Sequence, residues 1–416
     1  MAPGNWSRQL EAALATAAHR AAAAAVLFAA ILAACSRPPV EAPADTFDRR
    51  AMLASVGEHV ILPTYREFKG SAQALENAAS AHATAVAAGT LSSERSAARD
   101  SWKQAMIVWQ RAELFQLGPA GSPRVMTGGK NLRDQIYSWP TLNTCRVDQE
   151  VVDARFRDPG FFETALVNAY GLAALEYLLF NESPSNTCPP EAIINISGAW
   201  AALADSERTR RRADYAAAAA AHLAKKSREL LNEWEPSAGN FLGQLATAGE
   251  AGSVYRSAQA AVDELFAAMF YLDLRVKDRK LAVPAGISVL CPAATCPEAL
   301  ESRWAKHSGL NIVANLKAFQ AVFAGNVEGD EPRPSFDDFL ADRGAAELAE
   351  TIYRDTQAVA DSVVALPGGI EAAVAADPAA VRAIHAALKT VTDAMKSQMV
   401  TVLNLSVPNE GAADND

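Results

Sequence analysis

The sequence has few of the features that mark several common protein classes. Its 416 residues carry 38 basic and 48 acidic side chains, so it lacks the basic excess with which nucleic-acid-binding proteins neutralise phosphates. Only 21% of the residues are charged and half are hydrophobic, a composition that excludes wholesale disorder. Period-2 alternation of β-branched residues is nearly absent, which argues against a sheet.

Signatures of several enzyme and metal sites are also missing. The chain contains neither the G-x-x-x-x-G-K-[ST] loop that cradles phosphates nor the G-x-S-x-G turn that exposes a nucleophilic serine. Its five cysteines form no C-x-x-C motif. We therefore do not predict a zinc site built from thiolates.

The amino-terminal residues predict export and lipid attachment. An apolar run over residues 21–34 follows two arginines; it is too short to span a bilayer, but it suits the core of a secretory signal. The run ends in the sequence LAAC, which resembles the lipobox of bacterial lipoproteins, so we expect Cys35 to carry the lipid. Ser36 resembles the residue of lipoproteins forwarded to the outer membrane, where the protein would face the periplasm. The alternative is an ordinary signal peptide with an incidental cysteine.

Alanine-rich windows dominate the rest of the chain, with apolar residues three and four positions apart. The windows are 71–89, 97–117, 162–180, 198–234, 256–276, 305–324, 346–365 and 379–403. Alanine has the highest helix propensity, and prolines and glycines fall between the windows. The pattern predicts an all-α fold with two helical bundles packed side by side.

The expected organisation has five parts, with a boundary between the bundles at Glu235-Pro236. They are a signal peptide (1–34), the lipidated cysteine and a Pro-rich tether (35–54), a first bundle (55–235), a second bundle (236–405) and an acidic tail (406–416). Irregular arms at 119–160 and 277–304 interrupt the two halves at similar places, and we expect these loops to meet at the junction of the bundles.

Four cysteines remain once Cys35 is assigned to the lipid. They are Cys145, Cys188, Cys291 and Cys296. In an oxidising compartment they allow three pairings. Their positions along the chain favour Cys145–Cys188 and Cys291–Cys296, with one bridge in each half.

Residues 167–180, VNAYGLAALEYLLF, resemble the signature helix of the imelysin family, G-x-H-x-x-E followed by an aromatic residue and two leucines. Five other stretches agree with the family in order along the chain. They are 102–119, 135–149, 276–286, 308–323 and 336–344. The resemblance covers nearly the whole chain after the tether. It implies the two-bundle fold and an association with iron acquisition, and for some members it implies peptidase chemistry.

The histidine of this motif is replaced by Ala173. A histidine and a glutamate at (i, i+3) lie on one helix face and can bind a divalent cation together, whereas a methyl group offers no donor atom. Glu176 alone is thus a weak ligand for a divalent metal such as iron or zinc. Because a buried carboxylate needs a partner, either Glu176 forms an internal ion pair with Arg133, Arg146 or Arg256, or it faces a ligand.

Other polar and aromatic residues complete the candidate site. Trp109 and Glu113 share one helical stripe with Trp102, which indicates either core packing or a site. Trp139 and Arg146 line either a cleft or a packed loop. His307 stands at the start of a helix, on a solvated surface or beside the site, and Asn311 would share its face. The ligand-binding candidates are Glu176, Trp109, Glu113, Trp139, Arg146, His307, Ser308 and Asn311.

Three functions follow from these observations. The leading hypothesis is a non-catalytic envelope lipoprotein that binds a ligand between two bundles and is linked to iron or other metal acquisition. Its partners would be the membrane, through Cys35, and metal-uptake proteins of the envelope, but not nucleic acid. The second hypothesis is a divalent-metal peptidase in which His307 or Glu113 assists Glu176. The third is a structural envelope protein whose site has decayed.

Overall fold

In the computed structural model, residues 46–90, 93–326, 331 and 333–408 are described, and they form helices and no β-strand. This confirms the predicted all-α class. The predicted signal peptide, the lipid attachment at Cys35 and residues 409–416 of the acidic tail lie outside the described residues. Contacts divide the chain into two units, Met1–Thr46 and Phe47–Asp416, and every described helix belongs to the second unit.

The first half of the second unit contains α-helices of very different lengths. They are α1 (Arg49–Val56), α2 (Leu62–Ala87), α3 (Ser93–Ala112), α4 (Leu132–Ile136), α5 (Thr144–Asp153), α6 (Phe161–Thr164), α7 (Gly171–Phe180), α8 (Ile193–Ile196), α9 (Ala199–Ala202) and α10 (Asp205–Trp234). The second half continues in the same way. Its helices are α11 (Phe241–Ala246), α12 (Ala258–Met269), α13 (Ser308–Ala324), α14 (Phe336–Asp342), α15 (Ala346–Val364), α16 (Gly369–Ala376), α17 (Pro378–Ala394) and α18 (Val400–Leu403).

Shorter helical segments of other types connect or extend these helices. Wider π-helical turns cover Gly57–Ile61, Leu272–Ala282 and Met395–Met399, and 3₁₀ turns cover Glu113–Phe115, Gly118–Ala120, Arg155–Arg157, Val167–Ala169 and Pro297–Ala299.

Capping side chains and a proline mark the ends of several helices. The side chains of Asn143 and Ser257 accept backbone N–H bonds at the starts of α5 and α12, which satisfies donors that the helix leaves unpaired. The longest helix, α10, contains the alanine run 216–221 and ends at Trp234. The helix ends there because Pro236 disfavours a helical conformation in the residue before it, Glu235.

The helices pack in two groups. In the first group α2 packs along α3 and α10, and α7 packs against α10 and α3; in the second, α13 packs against α15, and the π-helical segment 272–282 packs against α17. The groups meet where α13 lies against α3. The division into bundles at residue 235 stays a prediction. Within the described part of the chain, no single helix has the length and apolar composition of a membrane span, and α15 and α16 reach them only as a pair bent by 78°.

Two predicted helical windows differ from the structure. The window 162–180 is broken, because α7 begins at Gly171 with a φ of +78°, a conformation that favours glycine. A side chain there would also come within 2.5 Å of the Ile136 carbonyl oxygen. The window 256–276 ends as an α-helix at Met269 and continues as the π-helical segment to Ala282. That segment carries Lys280, which the sequence placed in an irregular arm, into the interior.

Both predicted disulfides are confirmed. Cys145 bonds Cys188 and Cys291 bonds Cys296. The two irregular arms also meet, as expected, since the Tyr137 hydroxyl of the first arm donates a hydrogen bond of 2.8 Å to Glu301 of the second.

Candidate functional site

A cavity of about 270 Å³ lies where the two arms meet. The first arm contributes Trp139 and Pro140 to its wall, and α7 contributes Ala173 and Glu176. Leu142 and Thr144 follow in the first arm, and the rest of the wall comes from the second arm, through Arg279, Val283 and most of residues 298–304. Ala173, at the position of the motif histidine, and Glu176, the motif glutamate, therefore face the same cavity, one turn apart on α7.

Glu176 is a buried acid on the wall of this cavity. Its side chain is buried, and its Oε1 accepts hydrogen bonds of 3.0 Å from the backbone N–H groups of Trp304 and Ala305. Burial disfavours the charged form and raises the pKa of Glu176 to about 8, although the two N–H groups oppose this effect. The carboxyl group is thus largely protonated at neutral pH and can donate as well as accept a hydrogen bond.

Of the two alternatives for Glu176, the ion pair with one of three arginines is wrong. Arg133 pairs with Glu113, and Arg146 pairs with Glu150 at 3.0 Å. Arg256 is exposed. Backbone groups of the second arm, which sequence reasoning cannot place, satisfy Glu176 instead, so the carboxyl group links α7 to the other half of the molecule.

A buried lysine lies beside this cavity and was missed by the sequence reasoning. The Lys280 ammonium lies 2.9 Å from Glu301 Oε2, and it donates to Gln110 Oε1 at 2.6 Å and to Asn315 Oδ1 at 2.7 Å. Burial lowers the pKa of Lys280, while the adjacent Glu301 carboxylate opposes the shift. Its ammonium also lies 5.7 Å from the centre of the Trp139 ring, a distance at which a cation and an aromatic face attract.

Two of the predicted polar residues, Asn311 and Ser308, hold Glu301 and the loop around it. Asn311 donates to Glu301 Oε2 at 3.0 Å and to Ser302 Oγ at 2.9 Å. The Ser308 hydroxyl accepts the Ser302 N–H at 3.1 Å. Asn311 and Ser308 therefore position the second arm and do not line the cavity itself.

His307 is buried, so the expectation of a solvated surface histidine is wrong. Its ring packs edge-on against Trp102 at 6.0 Å between centroids, and its Nε2 has no hydrogen-bond partner among the described residues. Burial, together with the positive charge of Lys103, lowers the pKa of His307 to about 4. The imidazole is neutral at pH 7.

Glu113 acts on the cavity through a neighbour. The fully buried carboxylate accepts two hydrogen bonds from Arg133, at 3.2 and 3.1 Å, and the same guanidinium donates to the Trp139 carbonyl oxygen at 2.9 Å. Glu113 therefore positions Trp139. Trp109 packs against Phe68, with 4.8 Å between ring centroids. Of the two alternatives given for Trp109, core packing or a site, the structure has the core packing.

The described residues do not fit a preformed metal centre. No group of three or more His, Cys, Asp or Glu side chains within the described ranges is placed to hold a cation. Neither His307 nor Glu113 lines the cavity with Glu176, and Arg146 also lies elsewhere, at the surface of α5. The cavity wall carries three carboxyl groups, of which that of Glu176 is protonated, together with two arginines and two tryptophan rings, and this set suits recognition of a small polar molecule.

Comparison with known proteins gives a consistent result. The family model described as imelysin matches residues 61–398. An imelysin-like protein from Psychrobacter arcticum has a similar solved structure, with a TM-score of 0.63, 17% identity, and coverage of 86% of this chain and 96% of that chain. A protein from Parabacteroides distasonis described as an iron-regulated protein A precursor is similar at a TM-score of 0.62 and 16% identity, over 87% of this chain and 97% of that chain. No curated protein matches the chain.

Proposed function

The chain belongs to the imelysin family, and from this premise we propose that it is a non-catalytic lipoprotein of the cell envelope. In this proposal it binds a small ligand in the cavity between α7 and the second arm. One observation carries the proposal, namely that the motif glutamate, Glu176, faces a cavity but is held by backbone N–H groups, with Ala173 in place of its histidine partner. The acid is retained in a setting that suits hydrogen bonding better than metal ligation.

A link to metal acquisition is part of the proposal. The similar Parabacteroides protein is described as iron-regulated, which supports a role in iron metabolism. Because the described residues offer no preformed cation site, the ligand would be a chelated metal or a small organic molecule with polar groups. The predicted anchor at Cys35 would keep this binding domain at the membrane, on the periplasmic side.

The test compares metal binding by three forms of the chain. Isothermal titration of Zn²⁺ and Fe²⁺ into fragment 47–416, which forms a compact unit of its own, should give weak binding for the wild type. Ala173→His restores an imidazole one turn before Glu176 and should tighten binding at least tenfold. Ala173→Leu adds bulk without a donor atom and is the control. Wild-type binding as tight as that of Ala173→His would overturn the argument from the missing histidine.

A protease assay addresses the alternative activity. The proposal expects no chelator-sensitive cleavage of denatured casein by the wild type, since Glu176 has no second ligand residue on the cavity wall. Cleavage that EDTA abolishes, and that Glu176→Gln also abolishes, would replace the binding function with a peptidase function.

A further inference from the structure

A second, larger cavity of about 680 Å³ lies beside the first. We call it the outer groove. The π-helical segment 272–282 forms one wall, α17 contributes to the lining, and the loop 287–290 forms the rim. Arg279 lines both this groove and the cavity that contains Glu176. None of the predicted site residues lies in the outer groove.

Two arginines without a hydrogen-bond or ion-pair partner among the described residues line the outer groove. Arg275 and Arg279 stand four residues apart on the same wall. Within the described residues, neither guanidinium forms a hydrogen bond or an ion pair. Like charges at this spacing repel each other, so a bound anion would be favoured. The guanidinium group has the planar, forked donor geometry that matches a carboxylate or a phosphate.

The other charged groups of the groove have partners other than these two arginines. Asp278 lies 3.0 Å from the buried Lys277 ammonium, and Lys389 lies 3.0 Å from Asp393. His385 also lines the groove and makes contacts of its own.

The rim of the groove is apolar and exposed. Ile287, Val289 and Leu290 are 42%, 97% and 54% exposed. The disulfide Cys291–Cys296 closes the turn that directly follows them. Arg382 of α17 holds the segment in place by donating hydrogen bonds to the carbonyl oxygens of residues 285 and 294, at 3.0 Å each. Adjacent apolar side chains held in water by a fixed loop mark an interaction site.

We propose that the outer groove binds an anionic amphiphile, that is, a phosphate or carboxylate head joined to a hydrocarbon chain. Arg275 and Arg279 hold the head by charge-assisted hydrogen bonds, and the chain covers Ile287, Val289 and Leu290. This pairing follows from the arrangement of two unpaired cations beside an exposed apolar rim. It does not depend on the ligand of the Glu176 cavity, so either proposal can fail alone.

Calorimetry with octyl phosphate tests the site on fragment 47–416. The wild type should bind one molecule of octyl phosphate per chain, and the double variant Arg275→Gln/Arg279→Gln should bind it at least tenfold more weakly. Arg124→Gln removes an exposed arginine outside the groove and should leave binding unchanged. Absence of saturable binding by the wild type, or equal binding by the double variant, would overturn the proposal.

Two further ligands separate the contributions of head and chain. Inorganic phosphate lacks the chain and octyl glucoside lacks the charge, so each should bind at least tenfold more weakly than octyl phosphate. Equal binding of either would contradict the assigned chemistry. The variant Val289→Ser/Leu290→Ser changes only exposed side chains, so it should keep the fold but lose affinity for octyl phosphate.

The source of the amphiphile is distinguished by vesicles. Sedimentation of the fragment with phosphatidylglycerol vesicles that depends on Arg275 and Arg279 would identify a lipid headgroup as the ligand. Binding of soluble octyl phosphate without sedimentation would identify a free amphiphile.

Discussion

The protonation of Glu176 makes a specific prediction about stability and pH. Burial raises the pKa of this carboxyl group from 4.5 to about 8 in the folded chain. Below pH 4.5 both the folded and the unfolded chain carry the proton. Between pH 4.5 and 8 the unfolded chain releases the proton while the folded chain keeps it, so the free energy of unfolding falls as the pH rises. Above pH 8 both states are ionised and this loss is complete.

The magnitude follows from the size of the shift. Each pH unit between the two pKa values lowers the free energy of unfolding by about 1.4 kcal/mol, which gives a total of about 5 kcal/mol. In Glu176→Gln the amide oxygen can still accept the two backbone N–H bonds, but the side chain has no proton to release. The variant should therefore match the wild type at pH 4.5 and exceed it by about 5 kcal/mol at pH 8.

Urea denaturation at a series of pH values measures the difference between the two proteins. Other titrating groups contribute equally to both curves and cancel. Glu298→Gln, an exposed change on the same cavity wall, is the control and should run parallel to the wild type. If the curves of the wild type and Glu176→Gln are also parallel, the carboxyl group is not protonated in the folded chain and the reasoning is refuted.

Three further predictions concern the packing around the site. Lys280→Met leaves the buried Glu301 carboxylate without its cation and should lower the free energy of unfolding by about 3–5 kcal/mol; a loss under about 1 kcal/mol in urea denaturation would contradict the buried ion pair. Gly171→Ala forces a strained φ and a close backbone contact, so it should lower the free energy of unfolding by about 2–3 kcal/mol. Gly70→Ala on α2 meets open space and should raise the free energy of unfolding by about 0.5–1 kcal/mol. Similar values for both variants would refute the role of the motif glycine. Removal of the Cys145–Cys188 bridge, with a separation of 43 residues, should cost about 4 kcal/mol, and removal of the second bridge about 2 kcal/mol; the reverse order in denaturation midpoints would contradict the loop-entropy argument.

Patterns that repeat along the chain made the fold predictable. Alanine-rich windows with three- and four-residue spacing identify α2, α10 and α15 because propensity and periodicity accumulate over many turns. The cysteine pairing was also predictable, because each bond joins cysteines of the same half. The break before Gly171 was not, since the need for a positive φ comes from the approach of another segment, at Ile136.

The site was only partly predictable. The motif identified Glu176, and the polar spacing of 307–311 drew attention to Asn311, which holds Glu301. Lys280 was overlooked because a lysine in a segment rich in charged residues is normally predicted to be exposed. Its burial follows from the π-helical conformation of the segment 272–282, which the sequence did not predict. The partners of Glu176 were beyond sequence reasoning, because they are backbone groups more than 120 residues away.

Arg279 is a wall residue shared by both cavities. Two negatively charged ligands, one in each cavity, would share this one cation and would repel each other at short range. Their binding would then show negative cooperativity. Thermodynamic linkage requires the penalty to be reciprocal, so the factor by which the first ligand weakens the second equals the factor by which the second weakens the first.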